Sequence, residues 1–163
     1  GAVGACAGLS PMSNQPHRDL EALLQRDIPL TRAMQVRVAS WENHQLCLEL
    51  PLQPNCNLHS SMFGGSLYCA ALLAGWGWLH LRLREAGLDG AVVIKDAQIS
   101  YLLPVTGAAL ACCTAPDELA WQKFVALFAR RGIARLHLNT QVHNADGEVA
   151  VLFSGQFVLQ REA

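Results

Sequence analysis

Charge is scarce in this chain: only 15% of its 163 residues are Asp, Glu, Lys or Arg, and they nearly cancel, to a formal −1. No long basic run occurs, so nothing draws the protein to a polyanion, and nucleic acid is excluded as an expected partner. The six cysteines (Cys6, Cys47, Cys56, Cys69, Cys112 and Cys113) include no Cys-x-x-Cys pair. Buried, reduced thiols in a cytoplasmic protein are the expectation, with no metal and no cofactor. A clean membrane-length run is also missing. Met62 to Leu79 is the one candidate, but Gly64, Gly65, Ser66, Gly75 and Gly77 interrupt it and His80 and Arg82 follow, so it reads as a buried core helix. The opening GAVGACAGLSP lacks a basic region ahead of its apolar residues and is shorter than a signal peptide. Residues 1–17 are expected to form a flexible tail, with Met12 a candidate native start, and residues 18–163 a single domain.

What the chain does have is apolar surface, 52% of its residues, enough for one well-buried core. Leu20, Leu23 and Leu24 recur at helical spacing between Arg18 and Arg26, and Ile28-Pro29 ends that pattern. Met34–Ala39 and Gln45–Leu50 read as strands around an Asn43-His44 turn. A long helix is expected from about Gly65 to Glu85, stopped by Gly87, with Leu67, Leu72, Leu73, Trp76 and Leu79 distributed over more than one face. Strands are then expected at Ala91–Leu103, Ala108–Thr114, Ile133–Asn144 and Val149–Gln160, the last two joined by the turn Asn144-Ala145-Asp146-Gly147. Pro116–Arg131 holds either one helix or an irregular loop. A helix apolar on nearly every side needs wrapping, so the expected fold is α+β, about six antiparallel strands around one central helix, with a short helix in front.

The junction ahead of that helix carries the chemistry. In NCNLHSSMFGGSLY, Asn55 to Tyr68, a polar Asn/His loop runs through a glycine pair into the helix. The first N–H groups of a helix have no intrahelical partner and lie at the positive end of its dipole. Asn57 and His59 lie close upstream, so the expected ligand is a carbonyl that becomes an oxyanion or enolate.

Several motifs in order resemble the hot-dog superfamily of acyl-thioester enzymes. They are Asn57-x-His59-x-x-x-Phe63-Gly64-Gly65-Ser66, Ile99-Ser100-Tyr101-x-x-Pro104-Val105-x-Gly107, and Asp146-Gly147-Glu148. Asn55-x-Asn57, Phe63-Gly64-Gly65-Ser66-x-Tyr68, Ala74-Gly75-Trp76-Gly77 and Lys95-Asp96-Ala97 are similar to the thioesterase-type domain fused behind an acetyltransferase in YiiD. Stand-alone members of that family are malonyl-ACP decarboxylases, and the resemblance covers roughly Ile28 to Gln160.

The resemblance implies an active-site Asn at Asn57, as oxyanion donor or carboxylate-orienting amide; the competing role is a loop Asn that makes a turn. Many hot-dog thioesterases carry a carboxylate on the helix about two turns after the glycine pair, where this chain has Leu72. Between Gly65 and Arg84 no carboxylate occurs, so the helix supplies no general base. Decarboxylation of a malonyl thioester needs none, only donors for the enolate oxygen. His59 is a second catalytic candidate, to orient substrate or protonate the enolate, or else a solvent-facing loop residue. Substrate contacts are assigned to Asn55, Phe63, Gly64, Gly65, Ser66 and Asp96, with structural alternatives for all but Phe63: Asn55 as a turn residue, the glycines as packing, Ser66 as a helix cap, and Asp96 as a buried ion-paired or hydrogen-bonded carboxylate. Tyr68, Trp76 and Trp78 read as core or dimer packing.

Three functions follow as expectations: malonyl-ACP decarboxylase priming fatty-acid synthesis, acyl-CoA or acyl-ACP thioesterase, and a non-catalytic acyl-thioester-binding module. The expected partners are an acyl carrier protein or CoA thioester and a second copy, as a homodimer or dimer of dimers. Arg82, Arg84, Lys123, Arg130, Arg131 and Arg135 are the candidate carrier-docking patch, against scattered solvated arginines as the alternative.

Overall fold

The structure is a computed structural model describing residues 15–162. Cys6, Met12 and the expected tail up to residue 14 lie outside the described residues.

Helix α1 (Pro16–Asp27) begins two residues before the expected start, on a proline in its first turn, and buries Leu20 and Leu24. Short helix α2 (Leu30–Met34), which the sequence did not announce, follows directly, and Gln35 ends it with a left-handed φ of 57°. Met34 therefore belongs to a helix, and strand β1 is Arg37–Glu42. It pairs with β2 (Gln45–Leu50) across Asn43 and His44, whose φ values of 51° and 54° make the two-residue turn that suits a twisted hairpin. A 3₁₀ turn (Gln53–Asn55) and a loop lead to the central helix α3 (Gly64–Ala86), which stops at left-handed Gly87 as expected. Then come β3 (Ala91–Tyr101), β4 (Ala109–Thr114), helix α4 (Glu118–Arg131), β5 (Ile133–His143) and β6 (Val149–Gln160). Segment 116–131 thus resolves to a helix, started by Asp117, whose carboxylate accepts from the N–H of Ala120 at 2.8 Å.

The six strands form one antiparallel sheet in the order β1-β2-β4-β5-β6-β3. It wraps α3, so the expected architecture stands. Leu67, Ala70, Ala71, Ala74, Trp78 and Leu79 of α3 are buried among Leu46, Leu48, Leu138, Phe153 and Phe157. Gly75 lets the helix lie against the sheet: a Cβ there would meet the Phe157 ring at 2.8 Å. Helix α4 adds Trp121, Phe124 and Phe128, with Trp121 edge-on to Trp78 at 5.7 Å. No helix among the described residues is long and apolar enough to cross a membrane.

The wrapping is incomplete on one side. Cys69, Leu72, Trp76 and His80, spaced as one helix face, stay half-buried, and the Trp76 indole donates to the Val92 carbonyl of β3 at 3.4 Å. Among the described residues strand β3 is itself an edge of the sheet, paired only with β6. The other edge, β1, is partly covered: the Glu21 carboxylate of α1 accepts from the Val38 N–H at 2.8 Å.

Strand β3 also carries a bulge. Ile94 pairs with Phe157 and Asp96 with Gln156, which leaves Lys95 as the extra residue. Alternation is shifted by one from there, so Val92 and Ile94 pack on the core before it and Ala97 and Ile99 after it. This shift puts Tyr101 on the helix side of the sheet and Asp96 outside.

The expectation of free thiols needs correction. Cys47 and Cys112, directly opposed on β2 and β4, form a disulfide on the outer face of the sheet. Sequence alternation gives the face of each cysteine but not its cross-strand partner. Cys56, Cys69 and Cys113 remain free, and burial pushes the Cys113 thiol up to about 12.

Candidate active site at the N-terminus of the central helix

Phe63 is the N-cap of α3, with φ −60° and ψ 132° and no side-chain cap. Ser66 is not the cap; it lies one turn in, where its N–H donates to the Phe63 carbonyl at 3.0 Å. Helix bonds begin there, so among the described residues the N–H groups of Gly64 and Gly65 have no partner. No acidic residue occupies the first turn to offset the positive end of the dipole. The glycine pair thus presents two donors in a field that favours an anion.

The segment before the helix is tied to its start. The Phe63 N–H donates to the Asn55 carbonyl at 2.7 Å, Cys56 and Met62 form a β-bridge, and the Met62 N–H donates to the Val105 carbonyl at 2.7 Å. Asn55, 3% exposed, latches the fold: its Nδ2 donates to the carbonyls of Met34 (2.9 Å) and Pro51 (2.8 Å), while its Oδ1 has no partner among the described residues. Both amide hydrogens are spent inside the fold.

Asn57 closes the loop 57–61. Its Oδ1 accepts from the N–H of His59 (2.8 Å) and from the N–H (3.1 Å) and hydroxyl (3.2 Å) of Ser61, while Nδ2 lies 2.9 Å from the Ser61 Oγ. The turn role foreseen as the alternative is therefore real. It does not use up the side chain, since Nδ2 carries two hydrogens and one is left. His59 is exposed, with its imidazole unpartnered among the described residues.

Tyr101 also reaches the start of the helix, and beyond its place in the Ile99-Ser100-Tyr101 motif no local pattern marked it. Its hydroxyl donates to the Gly64 carbonyl at 2.9 Å, and its ring lies 3.4 Å from where a Cβ on Gly64 would stand. Burial, then the neighbouring Tyr68, raises its phenol above the ordinary value. A Cβ on Gly65 would meet the exposed Phe63 ring. A hollow of about 300 Å³ opens here, lined by Met62, Gly64, Leu67, Tyr101, Leu103 and Val105 among others. Phe63, Tyr101, Leu102 and Leu103 around it are exposed apolar side chains, 57%, 51%, 52% and 39% accessible.

Asp96 does not join this group. Five residues of extended strand, roughly 17 Å, separate it from Tyr101. Nor is it a buried ion pair with Lys95, because both are exposed on either side of the bulge step. Leu72, two turns along α3, is half-buried, and the one carboxylate of this helix, Glu85, is at its far end.

The expected docking patch loses a member. The Arg82 guanidinium lies over the Trp121 ring at 4.3 Å, 11% exposed and 3.7 Å from Glu85. Arg84, Lys123, Arg130, Arg131 and Arg135 are exposed. Twenty residues of helix, about 30 Å, separate Arg84 from Gly64.

Comparison with known proteins places this geometry in context. The family model described as "Putative thioesterase (yiiD_Cterm)" matches residues 17–161. A solved protein of unknown function from Chlorobaculum tepidum TLS is similar at 30% identity and a TM-score of 0.86, over 91% of this chain and 96% of that one. A structure described as the "putative thioesterase from Shewanella oneidensis" matches at 32% identity and a TM-score of 0.77, over 88% of this chain and 96% of that one. A probable thioesterase from Pseudomonas aeruginosa shares the fold at 20% identity and a TM-score of 0.78, over 89% and 95%.

Proposed function

The chain belongs to the thioesterase-type family of the YiiD C-terminal domain, and we propose that within it the protein decarboxylates malonyl-ACP to acetyl-ACP, priming fatty-acid synthesis. The observation that carries this reading is a helix start with unfilled donors and no helix-borne base: two unpartnered glycine N–H groups, one Asn57 amide hydrogen just upstream, and Leu72 where a hydrolase would place a carboxylate. In the reaction the bond from C2 of the malonyl group to its carboxylate breaks and CO2 leaves. The electron pair becomes an enolate whose charge rests on the thioester oxygen. Gly64, Gly65 and Asn57 stabilise that oxygen, and C2 then takes a proton from solvent or from His59. The loss of one such donor costs on the order of 10² to 10³ in rate.

A second copy supports the site. The unpaired edge of β3 and the half-buried Cys69–His80 stripe beside it suit pairing of two sheets in a homodimer or dimer of dimers. The exposed Phe63, Leu102 and Leu103 would then be covered. Exposed Lys123, Arg130, Arg131 and Arg135 suit an acidic carrier protein.

The test is incubation with malonyl-ACP and mass spectrometry of the carrier. Asn57→Asp is the informative variant, since it keeps the Oδ1 acceptor that closes the loop and removes the donor. Acetyl-ACP from the wild type and at least a hundredfold loss in Asn57→Asp are expected. Hydrolysis is the second reading, favoured by the description of the 32% identical relative and by the unpartnered His59 imidazole as a base. Release of free carrier thiol would establish it in place of decarboxylation.

A further inference from the structure

An asparagine serves as an oxyanion donor only if its amide is held the right way round, and the loop before α3 shows what holds Asn57. Two backbone N–H groups, of His59 and Ser61, point at Oδ1 at 2.8 and 3.1 Å. Rotating the amide by half a turn would set N–H against N–H, so the backbone fixes which end is oxygen. The backbone does not touch Nδ2. That end has one hydrogen-bond partner among the described residues, the Ser61 hydroxyl at 2.9 Å, which also donates to Oδ1 at 3.2 Å.

We propose that Ser61 is a positioning residue for Asn57: its Oγ accepts one of the two Nδ2 hydrogens and so directs the other toward the reacting oxygen. This rests on the reading of Asn57 as an oxyanion donor. The hydroxyl is itself well anchored. The Asn57 N–H donates to the Ser61 carbonyl at 2.7 Å, and Ser60 takes a left-handed φ of 62° to bring the chain back. Ser61 is followed by Met62, which bridges Cys56 and bonds Val105 at the base of the helix. The serine thus ties the amide torsion to the frame that also sets Gly64 and Gly65. Among the described residues it makes no hydrogen bond to either donor glycine, and it takes no part in bond making.

The test compares Ser61→Ala, Ser61→Thr and Asn57→Asp on malonyl-ACP, with the Asn57 side-chain amide followed by ¹⁵N NMR. Ser61→Ala is expected to lower kcat about tenfold to a hundredfold with KM changed less than about threefold, as fits the loss of two hydrogen bonds, from Nδ2 to Oγ and from Oγ to Oδ1, that orient rather than bind. Ser61→Thr, which keeps the hydroxyl, is expected to restore kcat. In the spectrum one of the two Nδ2 protons exchanges slowly in wild type and Ser61→Thr, and loses that protection in Ser61→Ala. Full activity in Ser61→Ala beside an inactive Asn57→Asp overturns the inference and leaves the function standing. An active Asn57→Asp overturns the donor reading and the inference with it. If the wild type turns over no malonyl-ACP, the spectrum still decides, and unchanged protection in Ser61→Ala refutes the positioning role.

Discussion

The Trp78 indole donates to the His44 carbonyl at 2.7 Å, which joins the fully buried middle of the central helix to the turn of the first hairpin. The carbonyl projects from a left-handed turn residue, and the indole is the donor that meets it. Replacing Trp78 by Phe removes that donor and leaves a gap beside Trp121. A loss of about 1–3 kcal/mol is expected, combining a part-buried carbonyl left without its donor with a partial cavity. Urea denaturation of wild type and Trp78→Phe measures it.

Gly75→Ala is expected to destabilise the protein although alanine is the better helix former. The new Cβ would lie 2.8 and 2.9 Å from two atoms of the Phe157 ring, which is fully buried and has nowhere to move. Overpacking of this kind costs about 1–3 kcal/mol against a propensity gain of about 1. Gly65→Ala is the contrast, because its clash is with the exposed ring of Phe63, which can swing aside. Denaturation midpoints should fall for Gly75→Ala and change little for Gly65→Ala.

The Cys47–Cys112 bond links positions 65 residues apart. A cross-link over a loop of that size restricts the unfolded chain, and its removal is expected to cost on the order of 2–4 kcal/mol. It borders a hollow on the outer sheet face lined by Glu49, Leu110 and His143 among others, but both cysteines are buried, so a small dithiol is expected to reduce the folded protein slowly. Denaturation with and without reductant, beside the Cys47→Ser/Cys112→Ser pair, checks both points: the reduced wild type and the double variant should coincide.

Stability should decline as pH falls below about 6.5. Burial, with Arg84 one turn further along α3, holds the His80 imidazole below its ordinary value of 6.5. The unfolded chain therefore binds this proton more readily than the folded one, so stability rises with pH across the window just below 6.5 and the contribution is constant above it. His80→Gln should flatten the dependence of the urea midpoint between pH 7.5 and pH 5 relative to wild type.

Much of the fold was legible because its marks are local. Asn43-His44, Gly87 and the 144–147 turn each end an element through a backbone conformation that few residues adopt readily. The dense apolar face of α3 required a wrapping sheet. Three features were not legible, and each depends on an alignment between distant segments. The Cys47–Cys112 pair depends on the β2–β4 register. The Tyr101–Gly64 bond depends on a bulge seven residues earlier in the chain than Tyr101's neighbour Leu102. Arg82 is drawn inward by Trp121, which comes from a helix the sequence left undecided. At the site, Asn57 stood out by its spacing to the glycine pair, whereas Ser61, which holds it, has no signature of its own.

The bulge at Lys95 has a consequence beyond aiming Tyr101. An uncovered edge strand, eleven residues from Ala91 to Tyr101, is a template on which unrelated chains can add and grow into fibrils. A residue displaced from the ladder midway, bearing a charged side chain exposed to water, breaks that template into two short lengths of opposite phase. A flat, regular strand then finds no continuous match, whereas the proposed second copy carries the same bulge, so the edge suits its own kind while resisting runaway aggregation.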